Sequence, residues 1–150
     1  MPERSLTTPL GPVTLEAQDG AITALHWRAG DMDDDPLLVE AERQLTAYFA
    51  GRCEVFDLPF APQGSDLTRR TCAAMQEIPF GATRTYGDLA RELKAPAQAI
   101  GQACGANPIP VLIPCHRILG AKGLGGFSAK GGVETKVWLL RHEGAAGLLI

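Results

Sequence analysis

Thr85-Tyr86-Gly87-Asp88-Leu89-Ala90-Arg91-Glu92-Leu93-Lys94-Ala95-Pro96-Ala97-Gln98-Ala99-Ile100-Gly101-Gln102-Ala103-Cys104-Gly105 decides the class of the second half of this chain. Thr85 offers an N-cap hydroxyl, and Asp88 stands where a capping box places its acid. Tyr86, Leu89, Ala90 and Leu93 then share one helical face. Lys94-Ala95-Pro96 breaks that helix, because proline lacks an amide and disfavours helical backbone before it. A further short helix is expected from about Pro96 to Gly105. Helix, short turn, helix is the helix-turn-helix arrangement.

Working outward, a helix is expected from Asp66 to Glu77 and a final one from Thr135 to His142. Residues 119–132 hold six glycines and read as a flexible loop or wing. The first half has another grammar. Thr14-Leu15-Glu16-Ala17 and Ile22-Thr23-Ala24-Leu25-His26-Trp27 are strand-like and flank Gln18-Asp19-Gly20, a hairpin signal. With an earlier turn at Pro9-Leu10-Gly11-Pro12, residues 4–28 predict a three-stranded meander. Asp31 to Asp35 form an acidic loop. Pro36 opens a helix that carries Leu37, Leu38, Ala41, Leu45, Tyr48 and Phe49, and Gly51 closes it. Glu54 to Leu58 predicts a short strand, and Pro59 to Gly64 a linker. The expected architecture is α+β. A small α/β domain with a three-stranded antiparallel sheet spans residues 1–63, and a helical domain spans residues 64–150.

Composition and charge agree with two modules. In 150 residues, 45% are hydrophobic and 21% charged, a globular balance. No apolar run approaches the ~20 residues of a membrane helix. Met1-Pro2-Glu3-Arg4 begins no signal-peptide core, so a cytoplasmic protein is expected. Cys53, Cys72, Cys104 and Cys115 show no C-x-x-C spacing, and His26, His116 and His142 are scattered. Neither a metal site nor a disulfide framework is expected. The net charge is −3, unevenly spread. Residues 1–63 carry four Lys/Arg against eleven Asp/Glu, and residues 64–150 carry ten against six. A basic second half suits an anionic partner.

Asn107-Pro108-Ile109-Pro110-Val111-Leu112-Ile113-Pro114-Cys115-His116-Arg117 carries the chemistry. An apolar run boxed by prolines ends in Cys-His-Arg, which holds Cys115 in a fixed place. That placement suits a nucleophile. It equally suits a small buried thiol, and the residues alone leave both readings open. Adjacent Cys and His side chains diverge, so a direct dyad is disfavoured. A water bridge with His116 oriented by Glu143 is the workable alternative.

Ile113-Pro114-Cys115-His116-Arg117, with Asn107-Pro108, Gly126-Phe127-Ser128 and Leu140-Arg141-His142-Glu143-Gly144, resembles the O6-alkylguanine-DNA alkyltransferases. Ile78-Pro79-Phe80-Gly81 and Thr85-Tyr86-Gly87-Asp88-Leu89-Ala90 match as well. The resemblance is strong over residues 66–144, while Thr8-Pro9-Leu10-Gly11 carries it loosely in the first half. It implies a ribonuclease H-like first domain and a winged-helix-like second domain that binds double-stranded DNA containing O6-alkylguanine. A recognition helix enters the minor groove, the modified base is flipped out, and its alkyl group moves to cysteine. Cys115 would then be the acceptor, His116 its base and Glu143 the group that orients His116. Tyr86 would give a proton or hydrogen bond to the departing guanine. Asn107 would fix the turn before the active-site strand. Ser128, Phe127 and Pro110 would line the substrate pocket. Gln98, Ala99, Arg84, Thr85 and Arg117 would contact DNA. No metal or cofactor is implied, the thioether product is irreversible, and a monomer is expected.

This sequence departs from the family pattern at the DNA face. Gln98 stands where an arginine usually enters the base stack. Gly105-Ala106 brings no charge before Asn107. Phe127 replaces a common tyrosine, and Cys72 a bulky apolar residue. Arg69, Arg70, Arg84, Lys122 and Lys130 offer partial compensation. Alternative readings are the same self-alkylation from a non-duplex or small-molecule donor, a non-catalytic lesion-binding protein, and a cysteine hydrolase.

Overall fold

Asp19 and Gly20 both take positive φ, 52° and 79°, which is the backbone of a type I′ hairpin turn. That turn joins β2 (Gly11–Gln18) to β3 (Ala21–His26), and β1 (Glu3–Thr8) pairs with the other edge of β2. All pairings are antiparallel. The computed structural model describes residues 1–125 and 131–145. The chain divides into two units, Met1–Pro62 and Gln63–Ile150.

In the first unit, Val13, Leu15, Ala17, Ile22 and Leu25 are buried. Helix α1 (Pro36–Phe49) packs on the sheet through Leu38, Ala41, Leu45 and Tyr48. Asp35 caps it, accepting from the Leu37 and Leu38 amides at 3.0 and 3.2 Å, and Pro36 takes the first helical position. The strand expected over Glu54–Leu58 does not form. Gln44, a buried side chain of α1, accepts from the Asp57 amide at 2.8 Å and donates to its carbonyl at 3.2 Å. A side-chain amide thus takes the bonds a neighbouring strand would need. The expected linker is instead partly docked. Ile22 donates to Pro59 O and Ala61 to Ile22 O, each at 2.8 Å. Pro59 has no amide to extend this pairing.

In the second unit, Ser65 caps α2 (Asp66–Gln76). A two-residue strand, β4 (Arg84–Thr85), leads directly into α3 (Tyr86–Leu93). The capping box is complete. Thr85 Oγ1 accepts from the Asp88 amide at 3.0 Å, and Asp88 Oδ2 accepts from the Thr85 amide at 2.9 Å. Lys94 ends α3 in left-handed conformation, φ 54°, and α4 (Ala97–Gly105) follows Pro96. Helix α4 packs on both α2 and α3, burying Ile100, Ala103 and Cys104. After a 3-10 turn at Cys115–Arg117, β5 (Ile118–Leu119) pairs in parallel with β4. Such a short ladder has no hydrophobic period to read in a sequence. The last described helix is α5 (Val133–His142). No helix among the described residues is long and apolar enough to cross a membrane. The observed class is α+β, a three-stranded antiparallel sheet with a helix followed by a mainly helical unit.

Candidate active site

The segment from Asn107 to Cys115 is a succession of tight turns, not the expected strand. Asn107 organises it with its side chain. Its Oδ1 accepts from the Ile109 amide at 3.0 Å, and its Nδ2 donates to Ile113 O at 2.9 Å. Leu112 N then bonds to Pro110 O at 2.9 Å around Val111, whose φ is +71°. This is the rare γ-turn with positive φ, a strained conformation for a β-branched residue. Cys115 N bonds to Ile113 O at 2.8 Å around Pro114, with φ −81° and ψ 69°. That is an inverse γ-turn, for which the proline ring is already set. Residues Ile109 to Ile118 are buried throughout. The prolines remove donors that such a segment could not satisfy as a strand.

Cys115 thereby sits on the 3-10 turn, 9% exposed, followed by the buried His116 and Arg117. Glu143, just past the end of α5, holds both. Its Oε2 accepts from His116 Nε2 at 2.7 Å. Arg117 Nε donates to Oε1 at 2.8 Å and Nη2 to Oε2 at 3.0 Å. Arg117 Nη1 donates to Ile78 O at 2.6 Å, and the guanidinium lies 6.0 Å from the centre of the Phe80 ring. The Ile78-Pro79-Phe80-Gly81 motif therefore serves as the seat of this ion pair. Gly81, at φ +84°, lets the backbone pass Glu143 O, which a Cβ would meet at 3.3 Å. Arg117, expected to contact DNA, turns inward instead. It is 6% exposed, and its fork geometry is spent on a buried carboxylate and carbonyl.

This arrangement sets protonation states. Donating Nε2–H to Glu143 leaves His116 Nδ1 as an acceptor, and that buried atom has no hydrogen-bond partner among the described residues. Burial pulls the His116 pKa down, although Glu143 opposes it, so the imidazole rests neutral. Burial pushes the Cys115 thiol up, opposed by the Asn107 side chain and the charge of Lys136. Cys104 and Cys72 are pushed up to about 12 and about 11, chiefly by burial. Those two thiols stay protonated. Tyr86 opens α3, and its pKa is raised, first by burial, so the phenol keeps its proton. Gly125, at φ +72°, lies against it, since a Cβ there would meet Tyr86 Cε2 at 2.9 Å.

Residues 66–145 match the family model described as 6-O-methylguanine DNA methyltransferase, DNA binding domain. Residues 1–62 match the ribonuclease-like domain of the same family. The chain belongs to the 6-O-methylguanine DNA methyltransferases. A methylated-DNA–protein-cysteine methyltransferase of Methanosarcina acetivorans is 35% identical over 150 residues, covering 92% of this chain and 95% of the relative. One of the same name from Mycolicibacterium paratuberculosis is 39% identical over 151 residues, covering 93% and 90%. Among solved structures, Mycobacterium tuberculosis OGT in complex with DNA superposes with a TM-score of 0.85 at 38% identity, covering 95% of this chain and 92% of that one.

Within this methyltransferase, the remaining expected site residues fall into distinct places. Pro110 is buried inside the turn segment, its carbonyl engaged by Leu112. Gln98 is exposed in the first turn of α4, with the half-buried Ala99 beside it. Arg84 pairs with Glu92 at 3.0 Å, and Thr85 is occupied by its capping box. Phe127, Ser128 and Lys130 lie outside the described residues. Sequence reasoning overlooked Lys136. Its signal was present, since Lys136 shares a helical face with the buried Leu139 and Leu140.

Proposed function

We propose that this chain repairs DNA by direct reversal, moving the alkyl group from O6 of guanine to Cys115 Sγ once per molecule. The observation that carries this is His116, with Nε2 fixed on Glu143 and a buried Nδ1 that no described residue engages, adjacent in sequence to Cys115. Adjacent side chains diverge, so the thiol proton passes to Nδ1 through one water molecule. The thiolate attacks the alkyl carbon in line. The S–C bond forms as the C–O6 bond breaks, and the electron pair leaves with the guanine. Tyr86 hydrogen-bonds the departing base, whose gained proton balances the one lost by Cys115. The product thioether does not revert, so the protein is consumed. This fits the name carried by the M. acetivorans and M. paratuberculosis relatives and the DNA bound in the M. tuberculosis structure.

Duplex DNA is the partner, read from the minor groove by α4 through Gln98 and Ala99 with the modified guanine flipped toward Cys115. Arg84 and Thr85 add contacts at the start of α3. The protein acts as a monomer in the cytoplasm. Intact-protein mass spectrometry with an O6-methylguanine duplex tests the proposal. One methyl group in place of one hydrogen, mapped to Cys115 and absent in a folded Cys115→Ala variant, is expected. Methylation that survives in Cys115→Ala would overturn it. Free O6-benzylguanine, run in parallel, separates the chemistry from DNA handling. Modification by the free base alone would point to a non-duplex donor.

A further inference from the structure

Cys72, where the family pattern has a bulky apolar residue, is fully buried in α2, and α2 packs on the 3-10 turn that carries Cys115. Its Sγ donates to Asn107 Oδ1 at 3.8 Å, within the reach of a sulfur hydrogen bond. The same oxygen accepts from the Ile109 amide at 3.0 Å, and Asn107 Nδ2 donates to Ile113 O at 2.9 Å. Ile113 O also accepts from the Cys115 amide at 2.8 Å. One chain of hydrogen bonds thus runs from the Cys72 thiol, through the Asn107 carboxamide, to the backbone of Cys115. A carboxamide has two orientations that differ only in which end is oxygen. The Ile109 N–H and the Cys72 S–H are both donors, so together they hold the oxygen on their side and the NH2 toward Ile113 O. Burial pushes the Cys72 thiol up to about 11, so it keeps the proton it donates.

We propose that Cys72 is a positioning residue, whose S–H fixes the Asn107 carboxamide so that Nδ2 serves the turn bearing Cys115. The inference rests on the function proposed above only in taking Cys115 as the nucleophile. Donation into Oδ1 polarises the amide and strengthens what Nδ2 donates, since linked hydrogen bonds reinforce one another. Asn107 in turn draws the Cys115 thiol toward its thiolate, against the effect of burial. A neutral S–H supplies this donor without placing a charge in the interior. An alkyl side chain at residue 72 would fill the space and leave Oδ1 with the Ile109 amide alone.

The test uses the full chain and iodoacetamide, a probe independent of DNA. Alkylation is mapped to Cys115 by peptide mass spectrometry and followed from pH 5 to 10. Serine and alanine are nearly equal in volume, so Cys72→Ser and Cys72→Ala leave the same space and differ in the donor. Cys72→Ala is expected to slow Cys115 alkylation at pH 7 about threefold and to move the rising limb up by about half a pH unit. Cys72→Ser is expected to keep the limb at its parental position. Coincident Cys72→Ser and Cys72→Ala profiles overturn the proposal. So does a Cys72→Ala profile that is uniformly slower without displacement, or that superimposes on the parent. Should the smaller pair not fold, Cys72→Thr and Cys72→Val repeat the comparison with two equal shapes that leave no cavity. A limb displaced in Cys72→Val alone supports the proposal, and equal limbs overturn it. Iodoacetamide carries no guanine, so failure of transfer from the modified duplex leaves this readout intact.

Discussion

Around Cys115 the charged groups are buried and joined. His116 and Arg117 meet on Glu143, and Lys136 is tied to Ile118. On the outer face of α4 the pattern is reversed. Gln98 and Gln102 are exposed, and the helix carries no acidic or basic residue in its first or last turn. In the low dielectric of the interior a few charges act strongly on one another, so a small set of residues defines the chemistry. At the surface, contact with a polyanion is the sum of many screened terms and depends on how many cations are present. The groups around Cys115 are therefore strongly coupled to one another, while α4 is sparsely charged.

The largest expected effect breaks the buried side of this comparison. Glu143→Gln leaves Arg117 an uncompensated buried cation and replaces with an amide donor one of the two oxygens that His116 and Arg117 share. Stability should fall by about 3–5 kcal/mol in urea unfolding. Single-turnover transfer should slow by roughly 10²-fold or more, on duplex and free O6-benzylguanine alike. A selective loss on the duplex would refute the role given to Glu143.

Gln98→Arg probes the exposed side. Added charge and stacking area on α4 should raise the rate on an O6-methylguanine duplex by about tenfold at low salt and steepen its salt dependence. The rate with free O6-benzylguanine should stay unchanged. Equal effects on both donors would mean that Gln98 acts through the pocket and not through DNA.

The smallest effect is a pH dependence of stability. The folded His116 pKa lies below its unfolded value because of burial. The unfolded chain therefore binds more protons as pH falls below ~6.5, and native stability drops there by at most about 1.4 kcal/mol per pH unit. The contribution is complete above that pH. His116→Gln should flatten this limb in denaturant melts at pH 5 and 7. An unchanged slope would show that His116 is not the neutral buried base.

Much of the fold was legible because its signals are local. The Thr85–Asp88 capping box, the Lys94-Ala95-Pro96 break and the Asp19-Gly20 turn each satisfy backbone groups within a few residues, so their sequence states their geometry. The failures share a long-range cause. Glu54–Leu58 looks like a strand, yet Gln44, distant in sequence, takes the Asp57 hydrogen bonds. Arg117 looks like a surface cation, yet Glu143 and Ile78 draw it inward. Cys115, His116 and Glu143 were singled out starting from the proline-boxed segment and the family pattern then implied their roles, whereas Lys136 appeared only as one more charge of the basic half.

By itself the sequence determined the main helices, the Thr85–Asp88 capping box, the Asp19-Gly20 hairpin, the two modules and the proline-boxed segment that ends in Cys-His-Arg. Those features follow from backbone sterics, hydrophobic period and capping bonds, all short in range. Tertiary structure alone decided the protonation state of His116, the inward turn of Arg117 and the company of Lys136. Each depends on burial and on partners that folding brings together from 18 to 39 residues away. Burial is what turns an ordinary lysine or histidine into a group with a shifted pKa, and burial belongs to the folded chain.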